Sequence, residues 1–164
     1  MDTTSLRLAY TRFHEAGEQL ARAGTSTPPP PGEWDADQLL AHLLSVDAGV
    51  LAAACSVTAG GHGTFDNRLS LDLWNLERIR NRAGGQAQLR RRIRIQGEAL
   101  CALAEGLSDD ELGQPIPALL LSGDTLLVDA PVGLGDLIAG LAEDHLPRHT
   151  QQLLALLPAD SRSP

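Results

Sequence analysis

Lysine is missing from this chain: all 13 basic residues are arginine, a bias we attribute to genomic composition. Positive charge is scarce overall, and the formal net charge is −8. That argues against nucleic acid or an anionic membrane as the main partner. Aromatic residues make up only 3% of the chain. A core must then come from Leu, Ala, Val and Ile, a mixture that helices pack more readily than strands do. The two cysteines, Cys55 and Cys101, lie in apolar stretches (AAACSV and EALCAL) without metal-ligand spacing. Both are expected to be buried thiols in a reducing compartment. No charged-then-apolar pattern opens the chain, and no apolar run approaches the length of a membrane span. A cytoplasmic location is expected.

What remains is 43% hydrophobic over 164 residues, enough for one domain, 1–164, with a real core. Leu6, Ala9, Phe13, Ala16 and Leu20 recur at helical spacing and predict a helix over 4–23. GTSTPPPPGEW (24–34) is an extended, stiff connection. Asp35 and Gln38 have capping-box spacing and open a helix over about 36–57, with Leu39, Leu43, Val46, Val50, Ala53 and Ala54 as its buried stripe. AGGHG (59–63) stops it, 58–69 reads as loop, and a short helix follows from Ser70 to Ala83. After Gly84-Gly85 a long helix spans about 86–107, facing inward through Leu89, Ile93, Leu100 and Leu103. Ser108 and Asp109 cap a last turn that Pro115 and Pro117 end. Residues 118–130 form either a β-hairpin turning at Gly123-Asp124 or an irregular loop. A final helix covers about 134–157, and a frayed tail ends the chain. Four long helices with one long connection after the second predict an all-α four-helix bundle.

His145 and His149 stand four apart in the last helix, on a face with Ile138, Leu141, Ala142, Gln152 and Leu156. Side chains four apart project together, so one metal can take both imidazoles. The alternative is a pair of hydrogen-bonded core histidines. His42 shares its face with Leu39, Val46 and Gly49, where the glycine would admit a neighbouring helix. Three such imidazoles would leave metal positions open for water or a thiolate. Pro147, between two of them, removes a bond toward the Glu143 carbonyl and predicts a kink. His14 and His62 are expected at the surface, uninvolved. Glu143 and Asp144 could serve as a base or behind the ligands, but they point off the face of His145.

Three stretches together resemble a known family. Trp34-x₇-His42-Leu43 opening the second helix, SLDLWN (70–75) before an arginine-rich stretch, and HLPRHTQQ (145–152) resemble the DinB/YfiT-like metalloenzyme superfamily. SLDLWN and the arginine-rich stretch after it resemble the corresponding segment of the mycothiol-dependent maleylpyruvate isomerase N-terminal domain and its relatives. The resemblance implies a bundle of up-down-down-up topology. It also implies a divalent metal, zinc or nickel, on His42, His145 and His149, and activation of a low-molecular-weight thiol for transfer or isomerisation. Departures are Pro147 between the ligands, and Gln151 where a glycine is common. Trp74, Asn75 and Arg148 are candidate substrate-binding residues, although Trp74 would fit the core equally well. Seven arginines between Arg78 and Arg94 either hold substrate carboxylates or form a solvated face. The expected partners are a small-molecule substrate or thiol and a second copy in a homodimer. The competing reading is a bacterial stress-response module that binds metal without catalysis, or one that sequesters electrophiles.

Overall fold

Thirteen buried side chains fall on every side of one helix, α2 (Ala36–Thr58), which makes it the centre of the molecule. The computed structural model of this chain describes residues 1–159; the rest of the tail expected at the end lies outside the described residues. The chain is mostly helical with a small three-stranded mixed sheet. α2 starts where expected: the Asp35 carboxylate accepts from the Gln38 N–H at 2.8 Å, and the Asp35 N–H donates to the Gln38 amide oxygen at 3.0 Å. By length and composition α2 could cross a membrane, with mean hydropathy 1.7, contrary to the expectation that nothing approached that length. Its most apolar window is 61% buried within the protein, as a core helix requires.

α1 (Thr4–Ala23) buries the anticipated stripe and ends at Gly24, whose φ of +70° suits a left-handed C-cap. After α2 come β1 (Phe65–Asp66), α3 (Arg68–Leu71), α4 (Leu73–Ala83), α5 (Gln86–Gly106) and the short α6 (Asp109–Leu112). α2 packs on α5 and α4, and α1 on α5. Leu39, Leu43, Leu89, Ile93 and Leu100 are fully buried between them, while Leu103 is only partly so. Gly97 of α5 receives the ring of Tyr10: a Cβ there would sit 2.9 Å from it. The Tyr10 hydroxyl donates to the Asp47 carboxylate at 2.8 Å, so the ring cannot swing aside. Gly97→Ala is therefore expected to destabilise the fold by about 1–2 kcal/mol, overpacking outweighing the helix-propensity gain. A denaturant melt measures it; a stabilised variant would contradict this packing.

The segment 58–69, expected as loop, contains β1, and the helix expected over 70–83 is two helices broken at Asp72, which caps α4 by accepting from the Asn75 N–H at 2.7 Å. β1 runs parallel to β2 (Pro115–Ser122), and β2 pairs antiparallel with β3 (Thr125–Gly133). The hairpin is thus present and longer than 118–130, with Pro115 and Pro117 inside a strand rather than ending a helix. Gly123 takes φ +56° as first central residue of the two-residue turn, which matches the twist of the strands. β3 is the exposed edge, blunted by Pro131 and by a bulge at Leu127.

The last helix is not continuous. α7 (Leu134–Gly140) passes into a π turn over Leu141–His145 before α8 (Leu146–Ala155) resumes. The Leu146 N–H reaches the Leu141 carbonyl, five residues back. The disturbance expected from Pro147 is thus a wider turn just ahead of it, which eases the proline ring past the preceding carbonyls. The buried stripe shifts accordingly: Leu134, Leu137, Ile138 and Leu141 before the turn, Leu146, His149, Thr150 and Leu153 after it.

Candidate metal centre

His42 on α2, His145 at the end of the π turn and His149 on α8 converge. One nitrogen from each lies within 4.8 Å of the other two. The ring centroids are 4.5–5.1 Å apart. His42 and His149 are buried and His145 half-buried.

The hydrogen bonds determine which nitrogens face inward. His42 Nδ1–H donates to the Ser70 carbonyl at 2.6 Å, leaving Nε2 with its lone pair. Ser70 is delivered by a non-local route. Asn67 follows β1, and its side chain takes both backbone groups of Leu121: the amide donates to the carbonyl at 2.8 Å and accepts from the N–H at 2.9 Å. β1 itself is seated because Gly49 has no side chain: a Cβ there would lie 2.9 Å from the Phe65 ring. Gly49 thus admits a strand residue rather than the neighbouring helix expected. His149 Nδ1–H donates to the Gln152 amide oxygen at 2.6 Å, again freeing Nε2. His145 Nε2 stands 3.0 Å from His42 Nε2, and its Nδ1 has no partner.

Burial lowers all three histidine pKa values, to about 3 for His42, and the neighbouring imidazoles push His42 and His145 further down. At neutral pH all three are uncharged, and His42 and His149 each keep a lone pair on Nε2. Two imidazole nitrogens at 3.0 Å either share one proton or face a cation. Zn–N bonds of about 2.0–2.1 Å in a tetrahedral site separate nitrogens by roughly 3.3 Å, close to the 3.0 Å between His42 and His145. The three residues fit a divalent ion, with carbonyl and amide acceptors behind two of them holding the ligating tautomer.

Above the triad lies a cavity of about 530 Å³. Its walls are largely apolar, including Val46, Phe65, Leu120, Val128 and Leu137. Trp34 lines it beside the three histidines, with its ring 4.6 Å from that of His42. Arg148 is the one arginine among the described lining residues. Its guanidinium pairs with the Asp144 carboxylate at 2.8 and 3.0 Å and reaches the Ser122 hydroxyl at 3.5 Å on the hairpin.

Other expected site residues fall elsewhere. Trp74 is 71% exposed, in neither the core nor the cavity, and stacks beneath the Arg78 guanidinium. Asn75 is buried but serves local structure, donating to the Leu69 carbonyl at 2.8 Å and accepting from Arg78 at 3.1 Å. None of the arginines from Arg78 to Arg94 lines this cavity. Arg80 pairs with Asp37 and Glu77, and Arg94 with Glu18, across exposed surface. Cys55 is exposed, not buried, whereas Cys101 is buried with its thiol pushed up by that burial. His14 is partly buried rather than superficial, and burial lowers its pKa to about 4. Asp47, which sequence reasoning missed, is wholly buried on α2.

No family model, curated protein or solved structure matches this chain.

Proposed function

We propose that this protein is a DinB/YfiT-like four-helix bundle, formed by α1, α2, α5 and α7–α8 in up-down-down-up order, that holds zinc or nickel on His42, His145 and His149 and activates a low-molecular-weight thiol for transfer to, or isomerisation of, an electrophilic substrate. The observation that carries this reading is the convergence of three neutral imidazoles at the floor of an apolar cavity. When bound, the metal would supply Lewis acidity, lowering the pKa of a thiol in an open position. The chain's own part is binding and exclusion of water. The three histidines leave one side of the site to the cavity. Val46, Phe65, Leu120 and Val128 surround the apolar part of an electrophile. Arg148, at the mouth, holds an anionic group of substrate or thiol once its guanidinium turns from Asp144.

The test is turnover. Protein loaded with zinc or nickel should consume a thiol such as cysteine together with a chromogenic aryl halide, catalytically and in proportion to bound metal. Protein stripped of metal should not. Tight metal binding without turnover across several thiols and electrophiles would leave the competing reading, a stress-response or electrophile-sequestering module.

A further inference from the structure

The proline-rich connection is tied to the metal centre. Thr27 anchors its middle: its N–H donates to the Leu156 carbonyl at the end of α8 at 2.9 Å. Four prolines then hold the chain extended as far as a tight turn. The Glu33 N–H donates to the Pro30 carbonyl at 3.0 Å, and Gly32, between them, has φ +85°. Pro31-Gly32 at the centre of that bond is the residue pair a type II turn demands. The turn delivers two consecutive side chains. Trp34 packs over His42 and stacks on His149, with centroids 6.2 Å apart and planes 20° from parallel. The Glu33 carboxylate accepts from the Gln152 amide at 2.9 Å. The same Gln152 accepts the Nδ1–H of His149 at 2.6 Å.

We infer that Glu33 is a positioning residue for the metal centre: through Gln152 it holds His149 in the tautomer whose Nε2 faces the other two imidazoles. The inference rests on the metal reading proposed above. The chemistry is directional. An amide can turn over, presenting either oxygen or NH₂ to the imidazole. With NH₂ toward Nδ1, His149 would carry its proton on Nε2 and could not ligate. Glu33 can only accept, so it binds the NH₂ end of Gln152 and leaves the oxygen for His149. The negative charge at the end of the chain also favours partial positive charge on a ligating imidazole. The strap formed by residues 24–34 thereby sets the protonation pattern of a ligand more than 100 residues away in sequence.

The experiment has two readouts on wild type, Glu33→Ala, Glu33→Gln and Gln152→Ala. The first is the tautomer of His149 in metal-free protein, from ¹⁵N–¹H correlations of the imidazole at neutral pH. The second is zinc affinity by competition with a chromogenic chelator. Wild type should show His149 as the Nδ1–H tautomer. Gln152→Ala should mix the tautomers and weaken zinc by about 10- to 100-fold, as loss of an outer partner does. Glu33→Ala should do the same in smaller measure, about 3- to 10-fold, because its carboxylate is exposed and one bond further out. Glu33→Gln offers an acceptor oxygen but can also turn over, so it should recover only part of both signals. Circular dichroism should be unchanged, since an exposed side chain is altered. Wild-type tautomer and wild-type affinity in Glu33→Ala would overturn the inference. A tautomer shift in Glu33→Ala, with no zinc bound even by wild type, would uphold the relay and sink the metal reading instead.

Discussion

His42→Ala and His149→Ala are each expected to abolish stoichiometric metal binding. Wild type purified without added metal should carry close to one divalent ion per chain, and each variant almost none. The reasoning is geometric. Each residue offers one inward Nε2, and Ser70 and Gln152 hold the other ring nitrogen. Removing either leaves two nitrogens, too few for a site of this kind. The loss should also appear thermally. A ligand at 100 times its Kd stabilises by about 2.7 kcal/mol; for a chain of this size that is a melting-temperature rise of roughly 5–10 °C. Zinc should raise the wild-type melting temperature by that order and leave both variants where they were. His149→Gln, closer in volume, separates lost ligation from lost packing. Equal metal content in wild type and both alanine variants would mean that the three histidines are ordinary core residues around a shared proton.

Asp47→Asn is expected to stabilise the protein at neutral pH and to lose that advantage in acid. Asp47 lies on α2 with no exposed surface, and one carboxyl oxygen has no partner. Burial pushes its pKa up to about 8, although the Tyr10 hydroxyl pulls the other way. Burial, with Asp47 nearby, also raises the Tyr10 pKa, so the phenol stays protonated. The folded protein therefore holds a proton on Asp47 that the unfolded chain releases near pH 4. Below that pH both states are protonated and no ionisation cost remains. Between about pH 4 and 8 the native state binds more protons than the unfolded one, so stability falls as pH rises, by about 1.4 kcal/mol per unit for one proton. By pH 7 the accumulated cost is on the order of 4 kcal/mol. Asparagine avoids it but leaves an amide NH₂ unpaired, costing about 1–3 kcal/mol. The net gain at pH 7 should be about 1–3 kcal/mol, shrinking and then reversing toward pH 4. Urea melts of both proteins across pH 4–8 measure this. Parallel stability curves would show that Asp47 is ionised in the folded protein, with a partner supplied by buried water.

How much of this was legible differs from one element to the next. α1 matched its expected boundaries, and α2 opened at Asp35, because caps and three-four apolar spacing act within a few residues. The hairpin turned at Gly123-Asp124 because a two-residue turn needs a glycine there. The histidines were legible as a group because apolar neighbours at helical spacing put each on a buried face. The π turn left a mark that regular periodicity hid: a gap of five between Leu141 and Leu146, where three or four would continue the stripe.

Other features had no local signature. β1 is two residues long and exists because Ala118 and Leu119, over 50 residues later, pair with it. Trp74 looked like a pocket or core residue by type, but the break at Asp72 turned it outward. Cys55 sat in an apolar run, yet it faces solvent near the end of α2. Local chemistry was enough to set where the helices start and stop, which faces are apolar and which three imidazoles can ligate. Its forces, capping bonds, turn geometry and side-chain periodicity, close within one or two turns of chain. The tertiary fold alone decided that the imidazoles share one point, that Ser70 holds the tautomer of His42, and that Glu33 reaches Gln152 from the far end of a proline strap. Those depend on hydrogen bonds between residues 28, 103 and 119 positions apart. Such contacts form only after the core has brought α2, the hairpin and α8 together.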